Sequence, residues 1–467
     1  MSKNLFVGVD GKARKTKEFY VGVNGKAHRI VKAYIGDENG KARLFWEKET
    51  TPITDSLEFV SDNSFTMSAT KLWDGTIEYN NGNGNGWTTW SGGQISSNAI
   101  DGRQRIYFRG SRNTVIRGQN ATETNSWKIT GSNVECNGNI EYLLDYQKIA
   151  AGEHPEMGMY CYREMFSNCS SLITSPELPA ITLANGCYQN MFRNCSSLTT
   201  VSALPATTLA VSCYQNMFSD CSSLTIAPEL PATTLAKYCY YMMFRNCSSL
   251  TTAPELPAIT LADYCYHNMF NGCSSLTTAP QLPATDLAKS CYYQMFRNCS
   301  SLTTAPALPA TTLAVSCYQY MFGNCSSLTI APELPATTLA ENCYQYMFYT
   351  CENLTTAPAL PATNLAKNCY YYMFYGCFRL RKIPALPAHI LPDYCYYGMF
   401  KECDIHLYSS GDETKNVIYL LPSEKNQWTN TQKESNSLTD MFTYDGLIQT
   451  PNFPAGYRLD NYYSIIS

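Results

Sequence analysis

The chain has 467 residues and a formal net charge of −4, with only 15% charged residues against 45% hydrophobic ones. Such a length suits two to four structural units with real cores, and without a basic block or stripe no nucleic-acid footprint is expected. No stretch reaches the ~20 apolar residues that cross a bilayer, so membrane insertion is not expected either, and neutral polar groups, with 35 tyrosines among them, must make much of the surface.

Residues 1–47 carry a short repeat. Val7-Gly8-Val9-Asp10-Gly11-Lys12-Ala13-Arg14 returns as Val21-Gly22-Val23-Asn24-Gly25-Lys26-Ala27-His28, and again with one inserted residue as Ile35 to Arg43. Asp-Gly and Asn-Gly between short β-prone runs signal hairpins. A segment this small buries little by itself and is expected to attach to something larger, a partner protein or copies of itself. Its lysines and arginines suit either a docking face or a solvated one. The start, MSKNLFVGVDGKARKTK, lacks an apolar signal region, so folding in a cytoplasm is expected; release at lysis inside an assembled particle is one route outward.

Residues 48–148 read as a β-sandwich-like domain, with LEFVSDNSFTMSAT, GTIEYNN, QRIYFRG and SWKITG as short strands between Gly, Asn and Asp clusters. The run Gly82 to Gly86 is a hairpin tip, because no helix pattern follows it. Trp87 and Trp90 beside it are either an aromatic sugar platform or core and edge packing.

Residues 149–407 are ten consecutive 26-residue copies. The unit CYQNMFRNCSSLTTVSALPATTLA (187–210) is rewritten as CYQNMFSDCSSLTIAPELPATTLA (213–236), and so on to Met399. A fixed period of this size marks stacked units, each unable to bury its apolar face alone. Leu183, Cys187, Met191 and Cys195 fall four apart with Tyr188 and Phe192 beside them, which predicts a short helix. Ser196-Ser197 then break it, Leu198-Thr199-Thr200 supplies a short parallel strand, and prolines such as Pro205, Pro228 and Pro231 keep the return extended. The predicted fold class is mixed α/β: a solenoid of ten 26-residue coils preceded by small β-hairpin and β-sandwich domains. Residues 408–467 leave the period and become a C-terminal cap, with Met441-Phe442 echoing the repeat.

Twenty of the 21 cysteines lie in the repeats as ten pairs spaced by eight, from Cys161/Cys169 to Cys395/Cys403, and Cys136 stands alone. They read as a ladder of buried small apolar residues. No close CxxC pair and no matching histidine spacing points to a metal, so neither metal nor cofactor is expected. Stacked rungs place equivalent cysteines near disulfide range, which leaves oxidation after release open. The repeated Asn194-Cys195-Ser196 sequon recurs because the fold recurs.

At the unit xxCYxxMFxxCSSLTTAPxLPATTLA the chain resembles the BspA-like leucine-rich repeats of bacterial surface antigens, sharing Phe192, Cys195 and Leu198 in the pattern F-x-x-C-x-x-L over about 155–407. These copies are longer and proline-rich and carry the additional Cys187, so the topology transfers better than the curvature. The layout also resembles virion-associated proteins of gut bacteriophages, through Val7 to Arg43 and the domain order. The resemblance implies adhesion or ligand recognition rather than chemistry.

The two residues after each Cys-Tyr vary between copies. On the predicted helix they face solvent as a stripe from which Tyr241, His267, Tyr293, Tyr320, Tyr346, Tyr371 and Tyr372 are candidate ligand-binding residues. Tyr offers rigid amphipathic area at low entropic cost, and Gln and Asn offer adaptable hydrogen bonds. The alternative is a solvated outer face whose tyrosines only cover neighbours. The five histidines are scattered, and no nucleophile, base and orienter converge, so no catalytic residue is named. The expected function is a non-enzymatic phage virion protein, tail or peripheral fibre. It would attach to other virion proteins through residues 1–47 and present the repeats to a host surface glycan or protein. A bacterial surface adhesin is the first alternative and a glycan-active enzyme using the β domain the second. Homo-oligomerisation stays open, since nothing in the chain demands three-fold symmetry.

Overall fold

A computed structural model describes residues 53–116, 127–380, 384–388, 390–403 and 436–441, together with strand backbones within 6–47 and at 458–459 and 465–466. Met1–Thr54 is a compact unit distinct from Asp55–Ser467. In the first unit each copy of the short repeat makes one antiparallel hairpin: β1 (Phe6–Val9) with β2 (Lys12–Lys15), β3 (Phe19–Val23) with β4 (Lys26–Ile30), and β5 (Lys32–Gly36) with β6 (Ala42–Glu47). The closing pairs Val9↔Lys12 and Val23↔Lys26 bracket Asp10-Gly11 and Asn24-Gly25, the two-residue Asx-Gly connections that suit strand twist. The side chains of this unit, and with them the basic docking face, lie outside the described residues.

The second unit opens with β7 (Leu57–Ser61), β8 (Thr66–Ser68), β9 (Thr76–Asn80), β10 (Thr88–Thr89), β11 (Ile95–Ser96), β12 (Asn98–Ile100), β13 (Arg103–Ser111), β14 (Lys128–Thr130) and β15 (Glu135–Asn137), then α1 (Tyr142–Ala150). One antiparallel sheet runs β10-β9-β13-β7-β15 with β12 on β13, and a second runs β11-β8-β14. Alternation along β13 places Ile106 and Phe108 opposite Phe59 and Leu57 of β7, all four fully buried. The other face of that sheet is laced by Arg103–Glu135 at 2.9 Å, Arg109–Glu78 at 2.8 Å and the Arg105–Glu58 pair. Helix α1 lies tightly on β13: a Cβ at Gly110 would sit 1.8 Å from the Leu143 carbonyl oxygen, so only glycine permits the approach.

This β layer is the first cover of the repeats rather than a separate body. Ile116 and Trp127 donate N–H to the carbonyls of Cys161 and Met165 at 2.8 Å, and Val134 and Leu172 form a parallel bridge. Trp127 also meets Phe166 edge-on at 6.1 Å. The core therefore runs unbroken across residues 148–149, from Leu57 to Met441.

The repeats differ from the sequence expectation in one respect that reorganises everything else. The segment from Ala184 to Cys195 is not a helix but a ribbon of overlapping turns, and among the described residues α1 is the one α-helix. The N–H groups of Cys187, Gln189, Met191, Arg193 and Cys195 each bond three residues back. Those of Gly186, Tyr188, Asn190, Phe192 and Asn194 each bond 25 residues forward, to the next copy. Every main-chain donor from Gly186 to Cys195 is thus satisfied, alternately within the copy and across to its neighbour. The geometry requires a left-handed residue every fourth position: Gly186 at φ 64, Asn190 at 56 and Asn194 at 60, repeated in each copy. A true period of four buries Cys187, Tyr188, Met191, Phe192 and Cys195 on one side.

Inside, copies stack in register. The buried tyrosines from Tyr162 to Tyr396 lie face to face at 5.5–5.8 Å. The phenylalanines from Phe166 to Phe400 do so at 5.4–5.8 Å. All 21 cysteines are buried thiols. Those of the second column have a polar task as well: Cys195 Sγ donates to Phe166 O at 3.0 Å, and Cys221 repeats this on Phe192 O at 3.1 Å. The expected strand is reduced to single parallel bridges such as Thr252↔Thr278. A second set, Thr312↔Thr338 among them, lies in the return segment. There Leu204 and Ala206 point inward around an exposed Pro205.

At the far end residues 436–441 imitate a further ribbon. Tyr396, Gly398 and Phe400 donate N–H to Ser437, Thr439 and Met441, while Asn436 and Asp440 take φ 60 and 55. Leu438 and Met441 are buried over the last copy. Backbone strands β16 (Arg458–Leu459) and β17 (Ile465–Ile466) pair antiparallel; the rest of the predicted cap, Phe442 included, lies outside the described residues.

Candidate recognition surface

The outer side of the ribbon is built from the positions equivalent to 186, 189, 190, 193 and 194, most of them half-buried or exposed, although small or polar residues such as Gly186, Asn268 and Ser290 are buried there. Fourfold spacing puts all of these on one face, so the variable stripe is wider than two positions per copy. The column of Asn194 is structural. Asn168, Asn194, Asp220, Asn246 and Asn298 all hold left-handed φ, and their side chains link successive copies, as Asn194 Nδ2 does to Asn168 Oδ1 at 2.9 Å. Asn and Asp tolerate this conformation better than other side chains.

The seven repeat candidates fall into two adjoining blocks. Tyr241, His267 and Tyr293 occupy the 189-type column of three successive copies, with His267 sandwiched at 4.8 and 4.4 Å. Burial holds the His267 imidazole down at about 4, so at neutral pH it is an uncharged ring in the stack. Tyr320, Tyr346 and Tyr372 occupy the 190-type column of later copies, stacked at 4.3 and 5.5 Å, and Tyr371 stands across Tyr372 at 83°. Arg297 joins the blocks, its guanidinium 5.1 Å over the Tyr320 ring.

Three residues of the second block, Tyr349, Tyr375 and Tyr394, lie outside the two positions after Cys-Tyr, and Tyr397 follows Cys395-Tyr396 in the last copy. Tyr349 and Tyr375 stack at 5.0 Å in the 193-type column, and Tyr397 extends Tyr371 at 5.1 Å with Tyr394 edge-on to it. The signal for Tyr349, Tyr375 and Tyr394 was the fourfold period itself. The tyrosines in left-handed backbone are the anomaly. Tyr320, Tyr346 and Tyr372 hold φ 56, 56 and 49, where a Cβ costs about 1–2 kcal/mol. An aromatic stack returns about 0.5–1.5 kcal/mol, so the ladder roughly offsets its own backbone cost and adds little net stability.

The tryptophan platform does not form. Trp90 is 3% exposed and packs in the core against Trp73 at 5.5 Å and Trp127 at 4.9 Å, its indole N–H donating to Gly93 O. Trp87 is half-buried and its ring face carries the Arg109 guanidinium at 4.2 Å, which Tyr146 flanks at the same distance. A covered face and a core ring leave no paired platform for a sugar.

Compared with known families, residues 148–251 and 263–405 match the model described as BspA type leucine-rich repeat region, in six copies. Together these segments cover more than half of the chain. No curated protein and no solved structure matches it.

Proposed function

The chain belongs to the BspA-type leucine-rich repeat family, and we propose that it is a non-enzymatic recognition protein of a tailed-phage virion, in the tail or a peripheral fibre. On this reading the ten copies form a solenoid that presents the outer face of its turn ribbon to a host surface glycan or protein, while residues 1–47 attach it to other virion proteins. One observation carries the recognition role: the 189- and 190-type positions differ between copies, share the outer face of the ribbon and are rich in Tyr, Gln and Asn, with His267 among them. The Cys, Tyr, Met and Phe positions that recur in every copy are buried. A face varied in this way resembles a paratope in composition. The separate compact unit of Met1–Thr54 suits attachment.

Immunogold labelling of purified phage particles tests the virion assignment. Label on tails or fibres is expected, and its absence from virions together with label on bacterial cells would establish the adhesin alternative instead. Binding of the full chain to host cells tests recognition, and a chain that binds no cell surface would refute it.

A further inference from the structure

We propose that the tyrosine block at the C-terminal end of the repeats is a binding site for a neutral polysaccharide. The assignment rests on the recognition reading and gives it a place and a chemistry. The block consists of three short ring columns meeting near right angles. Tyr320, Tyr346 and Tyr372 form the middle column, with successive planes within 10°. Tyr397 stands at 74° to Tyr372 on one side, and Tyr375 stands at 74° to it on the other. Each ring is half-buried against its neighbours, so the surface is rigid before any ligand arrives. The phenol of Tyr346 lies close enough to those of Tyr320 and Tyr371 for them to act on its proton, as Tyr397 does on that of Tyr372, so the hydroxyls gather across the columns.

Backbone demand does not explain these tyrosines. The same left-handed position is filled by Asn190, Asn216 and Asn268 in earlier copies and by Gly398 in the last, which accept it more readily, and by the single residues Glu164, Met242 and Gln294; three successive tyrosines occur in this block alone. Strained conformations kept against easier choices gather at functional sites. Gly398 also fits the block: a Cβ there would come 2.3 Å from Tyr372 Cε1, so the last ring of the middle column occupies the space a side chain would take.

Charge then selects the ligand class. Charged groups are confined to the edges, with Arg297 over Tyr320 at one end. At the other end Lys401 pairs with Asp440 at 3.2 Å and Glu402 acts on Tyr375. Burial raises the phenol pKa of Tyr346, Tyr371 and Tyr372, so they remain neutral donors and acceptors. Uncharged rings with clustered hydroxyls suit the C–H faces and hydroxyls of sugars and offer little to a sulfate or carboxylate. A site that repeats by one copy at a time also suits a ligand that repeats.

The test is affinity electrophoresis of the full chain through gels containing dextran, mannan, galactan or starch, and through gels containing polygalacturonate or heparin. Retardation by at least one neutral polymer and by neither acidic one is expected. The Y320N/Y346N/Y372N variant should lose roughly tenfold or more in that affinity with an unchanged or higher melting temperature, and Ile330→Thr, at an exposed position outside the ribbon that other copies fill with Thr, should keep it. Should the triple variant prove unstable, Tyr346→Phe retains the ring and removes the central hydroxyl; a fall in affinity at constant melting temperature is expected. No retardation of the wild type by a neutral polymer, a preference for the acidic ones, or equal retardation of wild type and variants would overturn the proposal. If the Asn variant or Y346F still binds host cells like the wild type, recognition stands and this site falls; if the wild type binds no cells, the recognition reading itself falls.

Discussion

Replacing Asn216 by alanine and by glycine separates a ribbon of turns from a helix by the sign of the result. Asn216 holds φ 52 and is half-buried, donates its N–H to Tyr241 O at 2.8 Å, and accepts from the Ser219 N–H at 3.2 Å. Neither substitution removes those main-chain bonds. Alanine in left-handed backbone meets the Cβ–carbonyl clash, about 1–2 kcal/mol, part of which asparagine already bears, so Asn216→Ala should lose about 1 kcal/mol. Glycine escapes the clash but frees the unfolded chain by about 0.5–1 kcal/mol, so Asn216→Gly should stay within about 0.5 kcal/mol of the wild type. In a helix interior the order reverses, with alanine better than glycine by about 1 kcal/mol. The two geometries thus differ by about 2 kcal/mol in the Ala–Gly comparison. Urea midpoints in reducing buffer, read by near-ultraviolet circular dichroism and converted with a common slope, measure it. An alanine variant more stable than the glycine variant would refute the ribbon.

Met269 is fully buried mid-stack, and Met269→Ala should lower stability by about 2–5 kcal/mol; an unchanged denaturation midpoint would remove it from the core. The buried thiols predict a steep alkaline limit. Burial pushes Cys291, Cys343 and Cys351 from 9.0 up to about 12. A raised folded pKa gives stability that is full below pH 9 and lost as pH rises towards 12, so a pH titration of unfolding should fall across that window with a slope of several protons. Thiol reagents at pH 8 should leave these cysteines unlabelled until the chain unfolds. Gly398→Ala drives a Cβ into the Tyr372 ring at φ 56 and should cost about 1–3 kcal/mol while changing the tyrosine dichroism of the block. Met441→Asp places a charge in the buried cover of the last copy and should lower the melting temperature and promote aggregation, which light scattering would follow.

Much of this fold is legible because the repeat writes it many times over. Cys187, Met191, Phe192 and Cys195 recur unchanged in all ten copies and Leu198 in nine, buried in each of them. The helix was misread because fourfold spacing over two turns is close to the helical 3.6, and apolar spacing alone does not separate them. The corrective signal was present in Asn168, Asn194, Asp220, Asn246 and Gly272, a column of residue types that favour positive φ. Trp90 could not be placed from its neighbours, because its burial depends on Trp73, Phe108 and Trp127, which are distant in the chain. Tyr349 and Tyr375 belong to the candidate surface through the period of four, which brings the 193-type column beside the two variable positions.

The amino-acid sequence alone determined the 26-residue period, the hairpins at Asp-Gly and Asn-Gly, and which side chains of each copy leave water. These follow from residue type and local spacing. The tertiary structure alone decided how the backbone is satisfied and what the variable face looks like. Alternate N–H groups bond to a copy 25 residues away, a choice invisible to any local pattern. The stacking of Tyr346 between Tyr320 and Tyr372 exists only because those bonds hold successive copies in register.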